Sequence, residues 1–271
     1  MENLVIIRGG GDLATGTIHK LHRCGFPVIV LEAQYPGAIR RRVAFSEAVY
    51  DGVSEVEGVT CSLADSAEHA LEIIEAGHTA MMVDESCHIL QSLRPWALVD
   101  GIMAKRNTGT SKDMADKTIA IGPGFTAGKD VDLVIETMRG HDLGRIIENG
   151  TASKDTEVPG LIEGFASERV IHAAFTGTLR NTVLIGDLVT KGQTIAIISN
   201  GNGRHPVEAE ITGVLRGNIR DGYSVQKGLK IADIDPRESE RKNCFSISDK
   251  ARCVAGAVLE GLLILKKRDG Y

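Results

Sequence analysis

Apolar residues fall in short blocks through the first half of the chain. Runs at 4–8, 27–31, 80–83, 97–103, 118–121 and 131–135 are bounded by Gly, Pro or charged residues and read as buried strands. Helical spacing lies between several of them. Residues 14–24 place Ile18 and Leu21 on one face, and residues 66–76 place Ala67, Ala70, Leu71 and Ile74 on one side. Strands alternating with helices predict a mostly parallel sheet covered on both faces. Residues 51–64 read as an edge strand or a hairpin, and the polar, turn-rich stretch 149–164 as a linker. The apolar run 254–265, interrupted by Glu260, predicts a buried C-terminal helix begun at Ser248 or Asp249.

Beyond the linker the rhythm changes to short strands and frequent glycines, and the chain repeats itself. Residues 173–199 match residues 209–235 at a constant offset of 36, as from Gly177 to Gly213, with 12 identities over 27 ungapped positions. Each copy carries a T-G-x-L-R strand, a turn, then V-x-K-G and a further strand. Two such halves predict a small pseudo-symmetric β-sandwich. The stretch Gly186-Asp187-Leu188-Val189-Thr190-Lys191-Gly192-Gln193 resembles the turn of biotinyl/lipoyl-type barrel-sandwiches. The carrier lysine of that family implies a lysine on the joining hairpin. Residues 198–202 hold none, so the resemblance bears on fold and not on a carrier function. The expected class is therefore α/β: a Rossmann-like, mostly parallel sheet domain over 1–150, a pseudo-symmetric β barrel-sandwich over 165–236 and a C-terminal helix over 244–268.

Composition narrows the function classes. The chain has 271 residues, 42% hydrophobic and 25% charged, which suffices for a real core. Only 4% are aromatic and the net charge is −5, which argues against nucleic acid as a partner. The one dense basic spot, Arg40-Arg41-Arg42, reads as a solvated helix face or a small-anion contact. Cys24, Cys61, Cys87, Cys244 and Cys253 form no C-x-x-C pair, so no structural metal is expected. A strand begins within a few residues of Met1, leaving no room for a signal peptide, and no apolar run spans a bilayer. A cytoplasmic protein without a membrane partner is expected.

The chemistry concentrates in glycine-rich turns. VIIRGGGDLATG, residues 5–16, runs a strand into three glycines and then a helix. Read as G-x-G-x-x-A, it offers Gly9, Gly10, Gly11, Asp12 and Leu13 to a phosphate, with Glu32 placed to take ribose hydroxyls. A tight turn without a ligand is the alternative. A second loop, IGPGFTAGKD, offers Gly122, Gly124 and Gly128 at another strand end but lacks P-loop spacing. Lys105, Arg106, Arg139 and His141 add positive charge or orientation. Asp84 and Asp100 stand near strand ends, and Cys87-His88 reads as a packed cysteine beside an unrelated histidine.

Taken together, RGGGDLATG (8–16), AIRRRVAFSEAVYDG (38–52), VDGIMAKRNTGT (99–110), GPGFTAGKDVD (122–132), ETMRGHDLGR (136–145), VPG (158–160), GLKIADIDPR (228–237) and ISDKA (247–251) resemble a known family. It is the YqeB-type family of selenium-dependent molybdenum hydroxylase accessory proteins, related to XdhC-like maturation factors. The resemblance implies a maturation factor that holds a phosphate-bearing ligand, the molybdenum pterin nucleotide, for a molybdenum hydroxylase client. It implies no turnover reaction. A second copy of the chain is a further possible partner, and an NAD(P)-dependent oxidoreductase and a non-catalytic adaptor with a vestigial nucleotide fold stand as alternatives.

Overall fold

The computed structural model describes the chain except residues 157–159, 269 and 271, so Val158 and Pro159 of the VPG motif lie outside the described residues. Two compact units result. Met1–Pro36, Ala44–Thr156 and Ile247–Tyr271 form the first; Gly37–Val43 and Glu157–Ser246 form the second.

In chain order the first unit contains β1 (Val5–Arg8), α1 (Asp12–Arg23), β2 (Val28–Glu32), α2 (Ala48–Asp51), β3 (Val53–Val56), β4 (Val59–Ala64), α3 (Ala67–Glu75), β5 (Thr79–Val83) and β6 (Ala97–Asp100). It continues with β7 (Lys117–Ile121), β8 (Thr126–Ala127), β9 (Leu133–Ile135), β10 (Ile146–Ile147) and β11 (Gly150–Thr151). Nine strands make one sheet in the order β10-β9-β7-β6-β1-β2-β5-β4-β3, while β8 and β11 pair separately. The inner strands are parallel, with Val5 opposite both Val28 and Ala97. Strand β1 is buried along its whole length, which is why it reads as an unbroken apolar run.

The expected fold class needs correction here. The sheet is mixed: β3 and β10 close its two edges antiparallel. The crossovers are not regularly helical either. Between β6 and β7, and between β7 and β9, the chain forms no α-helix. Segments 101–116 and 122–132 are rich in Gly, Thr, Ser and Asp and carry no apolar stripe, so a helix there would bury nothing. The missing cover comes from far along the chain. Helix α4 (Asp249–Arg268) lies on β7 and β9, where Gly261 faces Ile119 and Leu133. It belongs to the first unit and is not a third element following a sandwich. Strand β6 also ends at Asp100, short of the expected 103, because the Asp100 carboxylate accepts from the Ile102 N–H at 3.1 Å and turns the chain.

The second unit holds β12 (Val170–His172), β13 (Gly177–Asn181), β14 (Leu188–Val189), β15 (Thr194–Asn200), β16 (Gly203–Glu208), β17 (Gly213–Asn218), β18 (Ser224–Val225) and β19 (Lys230–Asp235). They form two four-stranded sheets, β12-β19-β17-β14 and β16-β15-β13-β18. The repeat copies are interleaved and not side by side, since β14 and β18 each join the sheet of the other copy. The repeated apolar positions make the core: Leu179 with Leu215, Val189 with Val225, Ile195 with Ile231 and Ile198 with Ile234 are all buried. Gly177 and Gly213 repeat for a steric reason. A side chain at either would collide with the backbone oxygen of Ser199 or Asp235, themselves repeat equivalents.

The arginine triplet is not a solvated helix face. Arg40 is buried and donates to the carbonyls of Asn243 and Ser246 at 2.9 and 3.1 Å. Arg41 donates to the Asn218 carbonyl and side-chain oxygen. Both serve to fasten residues Gly37–Val43 within the second unit.

Candidate functional site

Parallel strands end together, so the loops after β1, β2, β5, β6, β7 and β9 gather at one edge of the first unit. The chain leaves β1 toward β2 on one side and later returns to β6 on the other. This is a topological switch point, where open α/β sheets take ligands.

The glycine triplet sits there, and its three members differ. Gly9 has φ +89°, and a Cβ would lie 3.0 Å from the Ile102 Cα. A Cβ on Gly10 would meet Met81 Cε at 2.9 Å and the Ser46 nitrogen at 3.0 Å. The fold itself demands those two. Gly11 has φ −65° and ψ 178°, ordinary extended backbone, and a Cβ there would meet nothing within 4 Å. It caps α1 without a side-chain hydrogen bond. By contrast, α3 is capped by the Ser66 hydroxyl, and the Ser248 hydroxyl accepts from the Ala251 N–H at the start of α4. Asp12 and Leu13, both part-exposed, complete the first turn of α1.

Glu32 folds back onto the same turn. Its two oxygens accept from the N–H groups of Gly10 and Ala33 at 2.7 and 2.8 Å. Burial raises its pKa, the two backbone bonds oppose that, and the charge of Glu85 adds to the rise. Ser46 grips Gly10 from the other side, its N–H donating to the Gly10 carbonyl at 2.9 Å. The Ser46 hydroxyl is buried with no hydrogen-bond partner among the described residues.

At the switch point itself lies a cluster the sequence reading missed. Arg8, the last residue of β1, is 5% exposed and donates to the Thr110 hydroxyl at 2.5 Å and to the Glu85 carbonyl at 3.1 Å. Its ion pair with Asp100 is 3.4 Å long, and Thr110 donates to the same carboxylate at 2.6 Å. One hydroxyl thus accepts from the cation and donates to the anion. The cluster ties down loop 101–110, in which Met103 and Lys105 take left-handed φ of 62° and 61°. Non-glycine residues held there store strain, which the buried cluster sustains. Arg8 was hidden because it ends an apolar run. Its only signal was a charge where the pattern asked for a buried strand residue.

The remaining expected site residues divide. Gly122 and Gly124 have structural reasons of their own: φ +82° and +106°, the first against Met103 and Thr137, the second against the backbone of Arg106. Gly128 turns the chain at φ +80°. Lys105 pairs with Asp155 at 3.0 Å. Arg106 is exposed beside Gly124. Arg139 holds Asp249 through two bonds, at 2.9 and 3.1 Å. His141 is exposed on the loop after β9 and joins none of these groups through a hydrogen bond among the described residues. Lys250, absent from the expected set, is the neighbour of Asp249 on α4. Its pKa is lowered by burial first and then by Arg139, against the opposing charges of Asp12, Asp155 and Glu136.

Other chemistries find little purchase. Cys87 is buried at left-handed φ +58° and its thiol is pushed up by burial, whereas exposed His88 pairs with Asp84 at 3.3 Å. No group of three or more His, Cys, Asp or Glu side chains that would hold a metal occurs among the described residues. No helix among them is long and apolar enough to cross a membrane.

The fold and site thus define an α/β unit with a glycine turn open at its switch point, joined to an all-β unit. No protein-family profile matches the chain. It is 50% identical over 264 residues to the Escherichia coli K12 protein described as "Uncharacterized protein YqeB". That match covers 97% of this chain and 48% of YqeB, so the chain spans about half the length of this relative. Among solved structures, the ectoine utilization protein EutE (DoeB) of Ruegeria pomeroyi matches with 12% identity and a TM-score of 0.25, over 85% of this chain and 56% of that one. A succinylglutamate desuccinylase/aspartoacylase of Rhodobacter sphaeroides matches with 14% identity and a TM-score of 0.29, over 86% and 85%. An aspartoacylase family protein of Mesorhizobium loti matches with 10% identity and a TM-score of 0.31, over 86% and 85%. Likeness at these scores carries no argument about activity. The implied role as a selenium-dependent molybdenum hydroxylase maturation factor is withdrawn, since no comparison supports it. The relative is uncharacterized, the solved structures bear desuccinylase, aspartoacylase or ectoine-utilization names, and none of the four names molybdenum, selenium or a hydroxylase.

Proposed function

We propose that the first unit binds a phosphate-bearing small molecule at the β1–α1 turn, and that the chain is the counterpart of part of a YqeB-type protein. One observation carries the binding reading. Neither φ nor packing requires glycine at position 11, yet the residue sits where helix α1 presents its first-turn N–H groups. The absence of a side chain serves a visitor that comes close to the backbone, and the positive end of a helix favours an anion. Glu32 keeps lone pairs for sugar hydroxyls, because each of its oxygens takes only one backbone N–H.

The test compares wild type with Gly11→Val. Native mass spectrometry of each protein purified from its host, and calorimetric titration with ADP and with inorganic pyrophosphate, read the ligand directly. Loss of two charge-assisted bonds, each about 1.5–3 kcal/mol, weakens binding by roughly a hundredfold or more. The melting temperature should move little, since φ −65° suits valine and the space is open. Equal ligand content and affinity in the variant, or a wild type that carries no phosphate compound and binds neither probe, ends this reading.

A further inference from the structure

Residues 101–109 leave the end of β6 and the chain closes on that end again at Thr110. The two ends are clamped. The Thr110 hydroxyl donates to the Asp100 carboxylate at 2.6 Å, and Arg8 holds both residues. Glycine stands at each end of the segment, Gly101 buried and Gly109 exposed at φ +108°. The chain between them is a compact loop whose ends meet.

The loop grips the rest of the unit lightly. Ile102 and residues 104–109 are exposed and Met103 is half-buried, so no apolar side chain in 102–109 is sunk in a core. The hydrogen bonds that shape its backbone are local, from the Ile102 N–H to Asp100 and from the Gly109 and Thr110 N–H groups to the Asn107 side chain. Lys105 pairs with Asp155 at 3.0 Å, but both side chains are about half exposed, and such pairs hold little. What keeps the loop in place is shape. It bridges two glycine-rich turns: a Cβ on Gly9 would stand 3.0 Å from the Ile102 Cα, one on Gly122 3.1 Å from Met103 Cε, and one on Gly124 2.6 Å from the Arg106 Cα. Along this path Met103 and Lys105 both take left-handed φ, 62° and 61°. Residues with a side chain adopt that conformation only at a cost. Clamped ends, light attachment and stored strain therefore coincide in one segment, and moving off the glycines relieves the strain.

We propose that residues 101–109 are a hinged strap with a second, open position. There Met103 and Lys105 return to negative φ, the Arg106 backbone leaves Gly124, and the edge between the β1–α1 turn and the loop after β7 is uncovered, while Asp100 and Thr110 stay joined. The strap governs access to this edge whatever binds there, so the proposal stands apart from the binding reading above.

Trypsin reads the opening. A protease takes its substrate as extended backbone, which a left-handed Lys105 and an Arg106 packed on Gly124 do not offer, so cleavage after Arg106 reports the open population. Full-length Lys105→Gly and Lys105→Ala are compared. Both lack the ion pair to Asp155, and only alanine keeps the cost of the left-handed φ. Cleavage after Arg106 should be about threefold slower, or more, in the glycine variant than in the alanine variant. In wild type, urea below the unfolding transition should hardly change the rate of this cut, since a local opening exposes little new surface. A glycine variant cut as fast as the alanine variant, or faster, would overturn the proposal, because a merely slack loop behaves so. A wild-type cut whose rate climbs with urea in step with global unfolding would overturn it as well, because the loop then has no open position of its own.

Discussion

Arg8, Asp100 and Thr110 show how a single hydroxyl decides the fate of a buried charge pair. The guanidinium and carboxylate stand 3.4 Å apart, a weak contact on its own, and Thr110 bridges them. Thr110→Val keeps the shape and removes the bridge, which should cost about 1–3 kcal/mol in urea denaturation, with Thr110→Ser close to wild type. Asp100→Asn strands a buried cation and should cost roughly 3–5 kcal/mol. Asp132 allows a pH test. Burial would raise its pKa, but Lys112, the Thr118 hydroxyl and the Thr118 N–H together hold it below the usual carboxylate range. Its folded-state pKa is depressed, so it contributes stability above the unfolded value, lost as pH falls through the folded one. Asp132→Asn should therefore be less stable than wild type at pH 7 by about 1–2 kcal/mol, and the gap should close toward pH 2.

Helix α1 is held at its middle as well as its ends. His19 lies 5% exposed with Nε2 at 3.4 Å from the carbonyl of Glu57, in the turn of the β3–β4 hairpin. The Glu57 carboxylate in turn accepts from Arg252 at 2.6 and 2.8 Å and from the Ile247 N–H at 2.9 Å, so one turn residue joins α1 to the start of α4. Burial lowers the His19 pKa, with Arg23 and Arg252 adding to it and Glu57 opposing. The folded state thus binds this proton less readily than the unfolded chain. Stability should rise with pH through this region and be lost as pH falls below about 6.5 toward the folded value. Urea midpoints at pH 7.5 and 5.5 should differ more for wild type than for His19→Asn. The elements legible in the sequence were those whose signal is local: β1, β2 and β7 as buried apolar runs and the helix over 66–76, found as α3, while residues 51–64, read as an edge strand or a hairpin, form the β3–β4 hairpin. The glycine turn and Glu32 were legible for the same reason, being neighbours of one βα unit. The neighbourhood of Lys250 was not, because only the long-range packing of α4 on α1 brings Asp12 within its electrostatic reach. Nor were the helix-free loops after β6 and β7, whose cover comes from another part of the chain.

The two units are not consecutive in the chain. Residues Gly37–Val43 leave the first for the second and the chain comes back at Ala44; α4 returns to the first at Ile247. In the second unit the repeat keeps buried core side chains and the crowded Gly177 and Gly213, and also exposed turn residues such as Lys191 and Lys227. Gly177→Ala and Gly213→Ala should be comparably damaging, since each collides with an equivalent backbone oxygen. Matched thermal melts of the two variants test this, and a mild effect at one site alone would mean the copies have diverged in packing. A chain cut after residue 246 should expose Ile119 and Leu133 beneath the lost Gly261 and drive the first unit to aggregate.

The placement of α4 also fixes an order of events during synthesis. Strands β7 and β9 are synthesised by residue 135, and the helix that shields their face begins only at Asp249. For the time taken to make more than a hundred residues, the nascent sheet has an apolar face without its own cover. The intervening β-rich unit can complete its core in that interval, from residues 37–43 and 157–246 alone. Of the two units the first is begun earlier, yet it is the one that must wait, and a chaperone that holds apolar surfaces would find its target on β7 and β9.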